Sequence, residues 1–235
     1  MVAAVVVEVA EETAASDDRR AKGGKHMIRS NNGQIAIFGK SGYGHYFGGN
    51  TWKMPICPIC DEPYHQILTL DTKDEQLNWL ECSLKELPLI SCVNCSTCWE
   101  RQFYHIDEKD RAVKMLEVAT ADAWQQDEED KIGYPLPVRR LKLEPLECFD
   151  DEEIIESMGR DYFCKLGGKP VSLTDPIEMC CKECGRKMQY VGVLTGSDFE
   201  NIELLNGVDF YFGDMFLYFY YCDACNVVGV DSQPL

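Results

Sequence analysis

Apolar and polar positions alternate along most of this chain with the short rhythm of strands. Ile35-Ala36-Ile37-Phe38 predicts a first strand, and a glycine-rich turn follows it to Gly49. Between Trp52 and Tyr104 the pattern reads strand, knuckle, strand, loop, strand, knuckle, strand. Gln66-Ile67-Leu68-Thr69-Leu70 and Leu87-Pro88-Leu89-Ile90 are β-like runs that stand beside cysteine pairs. The rhythm then changes. Asp107 or Glu108 is expected to open a helix running to about Gln126, with Val113, Leu116 and Trp124 on its buried side. Asp151 is expected to begin a second, short helix, with Ile154, Ile155 and Met158 inward and Gly159 as its cap. Strands return at Gln189 to Thr195 and at Asp209 to Tyr221, where Phe and Tyr dominate. The expected class is mainly β with a few helices (α+β).

These elements divide the chain. Residues 1–33 lack amphipathic period and are rich in Ala, Val, Glu and Asp, so they are expected to be a disordered leader, with Met27 an alternative start. Residues 34–126 form an N-terminal half, 127–149 an acidic connector containing Pro135-x-Pro137, and 150–235 a C-terminal half. Two nucleotide motifs nearly appear in the glycine-rich turn. Gly39-Lys40-Ser41 lacks the glycine a phosphate loop needs at position 34, which is Gln34, and Gly42-x-Gly44 is followed by Phe47 where a third glycine belongs. The backbone cradle for phosphate depends on those glycines, so nucleotide binding is not expected.

Composition narrows the setting. Of the 235 residues, 45% are hydrophobic and 11% aromatic, as in globular chains. No apolar run approaches the roughly 18 residues of a membrane span. Ala3 to Val7 is too short for a secretory signal, no basic region precedes it, and Glu8, Glu11 and Glu12 follow. A soluble, cytoplasmic chain without disulfides is therefore expected. Net charge is −17, and the sparse Arg19, Arg20, Lys22 and Lys25 make no basic patch. Nucleic acid and membrane surfaces are thus excluded as expected partners. A charged partner would be a basic protein, although a merely solvated surface accounts for the charge equally well.

Thirteen cysteines in such a chain call for metal. Eight form four pairs at one spacing: Cys57/Cys60, Cys92/Cys95, Cys181/Cys184 and Cys222/Cys225. A Cys-x-x-Cys turn brings two thiolates to one ion at about 2.3 Å, and two turns complete a tetrahedron. Two structural Zn²⁺ ions are expected. Pairing within each half is the simplest scheme, and pairing across halves has the same local geometry. Cys98 and Cys180 are read as spare neighbours, and Cys82, Cys148 and Cys164 as small apolar residues.

The halves also resemble each other. Phe47-Gly48-Gly49-Asn50-Thr51 answers Leu166-Gly167-Gly168-Lys169-Pro170. Each is followed by Pro-Ile, at 55–56 and at 176–177, and then by the first pair of its set. Two pseudo-repeated halves, each with a zinc-knuckle pair, are therefore expected.

A site with four cysteines leaves zinc no open position for water, and His-Glu-x-x-His and Gly-x-Ser-x-Gly are absent. His45, His65 and His105 lie among aromatic or β-type residues and are read as structural. The expectation is a non-enzyme, the alternative being a thiol-dependent or redox enzyme using its Cys-x-x-Cys cysteines. The aromatic run Phe210 to Tyr221 is read as a central strand buried on both faces. Alternatively, one face lines a partner groove, which makes Asp214, Tyr218 and Tyr220 a candidate binding surface.

Lys165-Leu166-Gly167-Gly168-Lys169-Pro170, the Cys181-x-x-Cys184-Gly185 knuckle and Tyr211-Phe212-Gly213-Asp214, leading to Leu217-Tyr218-Phe219-Tyr220-Tyr221-Cys222, resemble the YwqG-like family of uncharacterised bacterial proteins. The resemblance covers roughly residues 35 to 230. That family is more remotely similar to the programmed cell death protein 2 family, which shares the Leu-Gly-Gly-Lys-Pro opening and paired cysteines. The resemblance implies protein binding, either as a chaperone for a ribosomal protein or as immunity against a bacterial toxin.

Overall fold

In a computed structural model, residues 33–118, 124–146, 164–170, 175–196, 210, 212–213 and 215–234 are described, and they carry eleven strands. These are β1 (Gln34–Phe38), β2 (Tyr46–Phe47), β3 (His65–Asp71), β4 (Glu86–Ser91), β5 (Gln102–Asp107) and β6 (Ala112–Val118). They continue as β7 (Arg139–Pro145), β8 (Cys164–Leu166), β9 (Gln189–Thr195), β10 (Met215–Cys222) and β11 (Val227–Pro234). The strands join in one sheet in the order β4-β3-β2-β7-β1-β8-β9-β10-β11-β5-β6, and each neighbouring pair is antiparallel. All belong to the single unit spanning residues 31–235. The expected leader falls almost entirely outside the described residues.

The mainly β class is thus observed, but the helices are not. Among the described residues the helical elements are two short 3₁₀ turns, at Glu75–Leu77 and Ser96–Trp99. Among the described residues no helix is long and apolar enough to cross a membrane. The helix expected from Asp107 to Gln126 is instead a hairpin. β5 ends at Asp107, whose carboxylate accepts the Asp110 N–H at 3.1 Å. Arg111 takes a positive φ of 46°, and β6 returns along β5 from Ala112. Val113 is buried as expected, whereas Leu116 is 40% exposed and Trp124, beyond the strand, also faces out. Val113-Lys114-Met115 alternates as a strand does; the sequence Asp107 to Asp110 is turn chemistry that imitates a helix N-terminus. The helix expected from Asp151 lies outside the described residues.

Part of the acidic connector is also a strand. β7 lies between β2 and β1 and bonds to both. Leu141 and Leu143 point into the core while Arg140 and Glu144 are exposed, the period of two that a half-buried strand requires. Residues 139–145 of that stretch therefore join the sheet.

Both faces of β10 are covered. Along β10, Leu217, Phe219 and Tyr221 enter the larger apolar core. Phe216, Tyr218, Tyr220 and Cys222 enter a smaller one with Phe103, Met179 and Met188. A strand buried on both sides must be apolar throughout, which is why β10 carries rings where alternation would put polar residues. Tyr218 and Tyr220 are 0% and 5% exposed, so their rings are core and offer no partner surface. Asp214 lies outside the described residues.

Candidate metal centres

The four cysteine pairs gather into two groups, Cys57/Cys60/Cys92/Cys95 and Cys181/Cys184/Cys222/Cys225, and within each group all sulfurs lie within 4.8 Å of one another. Pairing is therefore within each half. In both groups the first pair sits on a turn with the same hydrogen bonds. The Cys57 N–H donates to the Glu62 carbonyl at 2.8 Å and the Asp61 N–H to the Cys57 carbonyl at 3.0 Å. The Cys181 N–H donates to Arg186 and the Gly185 N–H to Cys181, each at 2.8 Å. Asp61 and Gly185 take positive φ, 58° and 72°, which lets the turn close tightly enough to bring its two sulfurs together.

In the first group Sγ separations are 3.6 Å for Cys57–Cys95 and 3.4 Å for both Cys60–Cys92 and Cys92–Cys95. In the second, Cys184–Cys222 is 3.7 Å. Four sulfurs bound to one zinc stand about 3.8 Å apart. A disulfide would need about 2.05 Å, and every described cysteine is free. These sulfurs are also too close together to surround an iron–sulfur cluster. The donor set fits a single tetrahedral, thiophilic ion.

Backbone amides supply the charge support such a centre needs. The Cys60 N–H is bonded to the Cys57 sulfur and the Glu62 N–H to the Cys60 sulfur. Arg186 does the same for Cys184, and Cys225 for Cys222. In the first group, thiols of Cys92 and Cys95 hydrogen-bonded to the Cys57 sulfur hold it well below the ordinary thiol range. Its bonds to Cys57 and Cys95 push Cys92 up, and burial raises Cys60 to about 12. In the second group the Arg186 amide lowers Cys184 to about 7. Burial raises Cys222 to about 11, and the bond shared with Cys184 raises Cys225 to about 12.

The remaining candidates fall outside both groups. Buried Cys98 directs its sulfur to the Cys95 carbonyl at 3.2 Å, Cys180 is exposed, Cys164 is buried and Cys82 half-buried; Cys148 is outside the described residues. His45 uses both nitrogens, Nε2 at 2.8 Å from Asp74 Oδ2 and Nδ1 accepting the Asp71 N–H at 3.1 Å. It has no nitrogen left for base catalysis. His65 is buried, bonded to the Ile132 carbonyl at 3.3 Å, and its pKa falls to about 4 because burial opposes its charge.

Two features were not foreseen from sequence. The buried Thr97 hydroxyl accepts from the Cys95 thiol at 3.1 Å and stands 3.4 Å from the Cys57 sulfur, to which it is placed to donate. Trp99 and Trp124 stack beside the first quartet, 5.2 Å apart and 10° from parallel. The spacing Cys95-x-Thr97 signals the first; the second depends on a hairpin that read as a helix.

No family model, no curated protein and no solved structure matches the chain, so the chemistry of the two quartets is read from their own atoms.

Proposed function

We propose that the chain is a zinc-stabilised protein-binding module, with one structural Zn²⁺ in each quartet and a basic protein as its partner. The gathering of four sulfurs, twice, within 4.8 Å carries the metal assignment. Saturated tetrahedral sites leave no position for water, so the ions brace the fold and the module acts through its surface, not as an enzyme. A chain of net charge −17 becomes more negative still when neutral thiols bind zinc as thiolates. This suits a basic client, held in a chaperone-like or immunity-like manner, as the resemblance to YwqG-like proteins implies. Reduced thiols fit a cytoplasmic setting.

The same reading makes the two halves copies of one unit. A single constant shift along the chain carries Ile56, Cys57, Asp61, Pro63 and His65 onto Cys180, Cys181, Gly185, Lys187 and Gln189. Bridges Ile56–Pro63 and Cys180–Lys187 obey it. So do the first residues of β3 and β9. The irregularities where Ile67 and Val191 are skipped in pairing with β4 and β10 obey it too. In order along the sheet, though at a different shift, β7 beside β2 matches β1 beside β8.

Elemental analysis of the purified chain tests the metal: two zinc per chain are expected, and iron with visible absorbance overturns the assignment. Affinity capture from native extract at physiological salt tests the function. A basic protein is expected, whereas recovery of nucleic acid, or of nothing, sinks the binding reading. Alkylating the zinc-loaded chain should leave binding intact. An enzymatic activity lost on changing a cysteine outside the quartets would establish the thiol-dependent alternative.

A further inference from the structure

Trp99 and Trp124 are 44% and 46% exposed, although an indole is among the costliest side chains to leave in water. Trp99 follows Cys98 in a short 3₁₀ turn, and the backbone at Trp124 is held against the first quartet. The Ser96 N–H donates to the Trp124 carbonyl at 2.8 Å, and the Trp124 N–H to the Ser96 hydroxyl at 3.1 Å. Cys95 bridges Gln125, and the Gln126 N–H reaches the Asn94 carbonyl at 3.1 Å. The residues bonded to this pair thus lie within and beside Cys92-x-x-Cys95. Two large rings fixed in advance lose little freedom when something docks on them.

The charge around them selects the occupant. Asp127, Glu129 and Asp130 follow Trp124 closely and are exposed, and none forms an ion pair among the described residues. Arg101, next to Trp99 in the chain but one, is already bound to Asp231 at 2.6 Å. An electron-rich indole face followed within a few residues by unneutralised carboxylates attracts a cation, and a planar guanidinium stacks on such a face where an ammonium cannot. Nucleotide bases also stack on tryptophan, but their phosphates would meet this acidic surface.

We propose that the stacked Trp99–Trp124 pair is a docking platform for an arginine-bearing basic segment of a protein partner, with Asp127, Glu129 and Asp130 meeting the segment's neighbouring charges. The proposal rests on the reading of a basic partner and adds where that partner is gripped and by which side chain.

The test titrates the full zinc-loaded chain with short labelled peptides of Gly and Arg, of Gly and Lys, and of Gly and Glu, and with a single-stranded oligonucleotide. The arginine peptide should bind tightest, the lysine peptide more weakly, and the other two not at all. Replacing both indoles (Trp99→Ala with Trp124→Ala) should weaken the arginine peptide by roughly tenfold, with zinc content and melting temperature unchanged. If that variant folds poorly, Asp127→Asn/Glu129→Gln/Asp130→Asn keeps the rings and should weaken binding while flattening its salt dependence. Equal affinity in the wild type and a well-folded ring variant, or equal affinity and salt dependence in the carboxylate variant, overturns the platform and leaves the basic-partner reading standing. A wild type that binds neither cationic peptide overturns both, and a preference for the oligonucleotide replaces the proposed occupant.

Discussion

The two cysteine quartets share one turn and differ in everything around it. Cys57, Cys60, Cys92 and Cys95 are all buried within the larger core. In the second quartet, Cys184 is exposed and Cys225 half-buried, and the group backs onto the smaller core. Local backbone geometry therefore supplies the ligands in both places, while the surroundings decide what the ion is worth. In the first quartet, water cannot share the charge of four thiolates, so removing a bound ion would leave buried sulfurs that must reprotonate and a core built around a gap. In the second, solvent takes over much of that work.

The largest test of this contrast is to remove one ligand from each. Structural zinc contributes roughly 10–16 kcal/mol of apparent binding energy in small peptides, as much as a domain's whole stability of about 5–15 kcal/mol. Cys57→Ser should therefore lose the first zinc and fail to fold cooperatively. Cys184→Ser should lose the second zinc and keep a melting transition, lowered but distinct. Melting curves combined with metal content decide it; equal damage from the two variants would erase the distinction between the sites.

A second test asks whether the outer quartet relies on its own small core. Tyr218→Ala should cost on the order of 3–5 kcal/mol, the range for a fully buried aromatic, and Tyr220→Ala a similar amount. Denaturant unfolding reads the loss. A Tyr220 variant that kept its stability while losing a partner would return that ring to the surface.

Acid should separate the regions further. His65, just beyond the first knuckle, has a folded pKa of about 4 against an unfolded value of 6.5. The unfolded chain therefore binds the extra proton between those values. The contribution of neutral His65 is complete above pH 6.5 and is lost as pH falls toward 4, by about 3 kcal/mol. The corresponding residue beyond the second knuckle is Gln189, which does not titrate. Unfolding of His65→Gln across pH 4.5–7 in saturating zinc should show a flatter pH dependence than the wild type. Parallel curves would assign the acid sensitivity elsewhere.

The smallest effect is expected at Thr97. Its hydroxyl is bonded to two sulfurs of the first quartet. Thr97→Val keeps the shape and removes a hydrogen bond to a charged group, worth about 1.5–3 kcal/mol. Competition with a colorimetric chelator should show faster release of one zinc and an unchanged rate for the other.

What could be foreseen follows the range of each interaction. The quartets were legible because a Cys-x-x-Cys turn is local and its chemistry admits few uses. β3, β4 and β9 were legible from runs of branched and apolar residues. β7 was hidden because Pro135, Pro137 and a cluster of acids advertise a loop around Leu141 and Leu143. β6 was missed because Val113, Leu116 and the distant Trp124 fit a helical spacing that the turn at Asp107–Arg111 forbids. The sheet order could not be read at all, since nothing near β5 in sequence announces that its partner is β11.

That last pairing has a consequence for synthesis. β11, residues 227–234, lies between β10 and β5, with Val227 opposite His105 and Val230 opposite Gln102. As the chain leaves the ribosome, the β5–β6 hairpin emerges more than a hundred residues before the strand that receives it. Until then β5 presents an unsatisfied edge beside the newly formed first quartet, the kind of edge that recruits a wrong strand. Early zinc capture by Cys57, Cys60, Cys92 and Cys95, all of them upstream of that edge, would hold the nascent region in register while it waits.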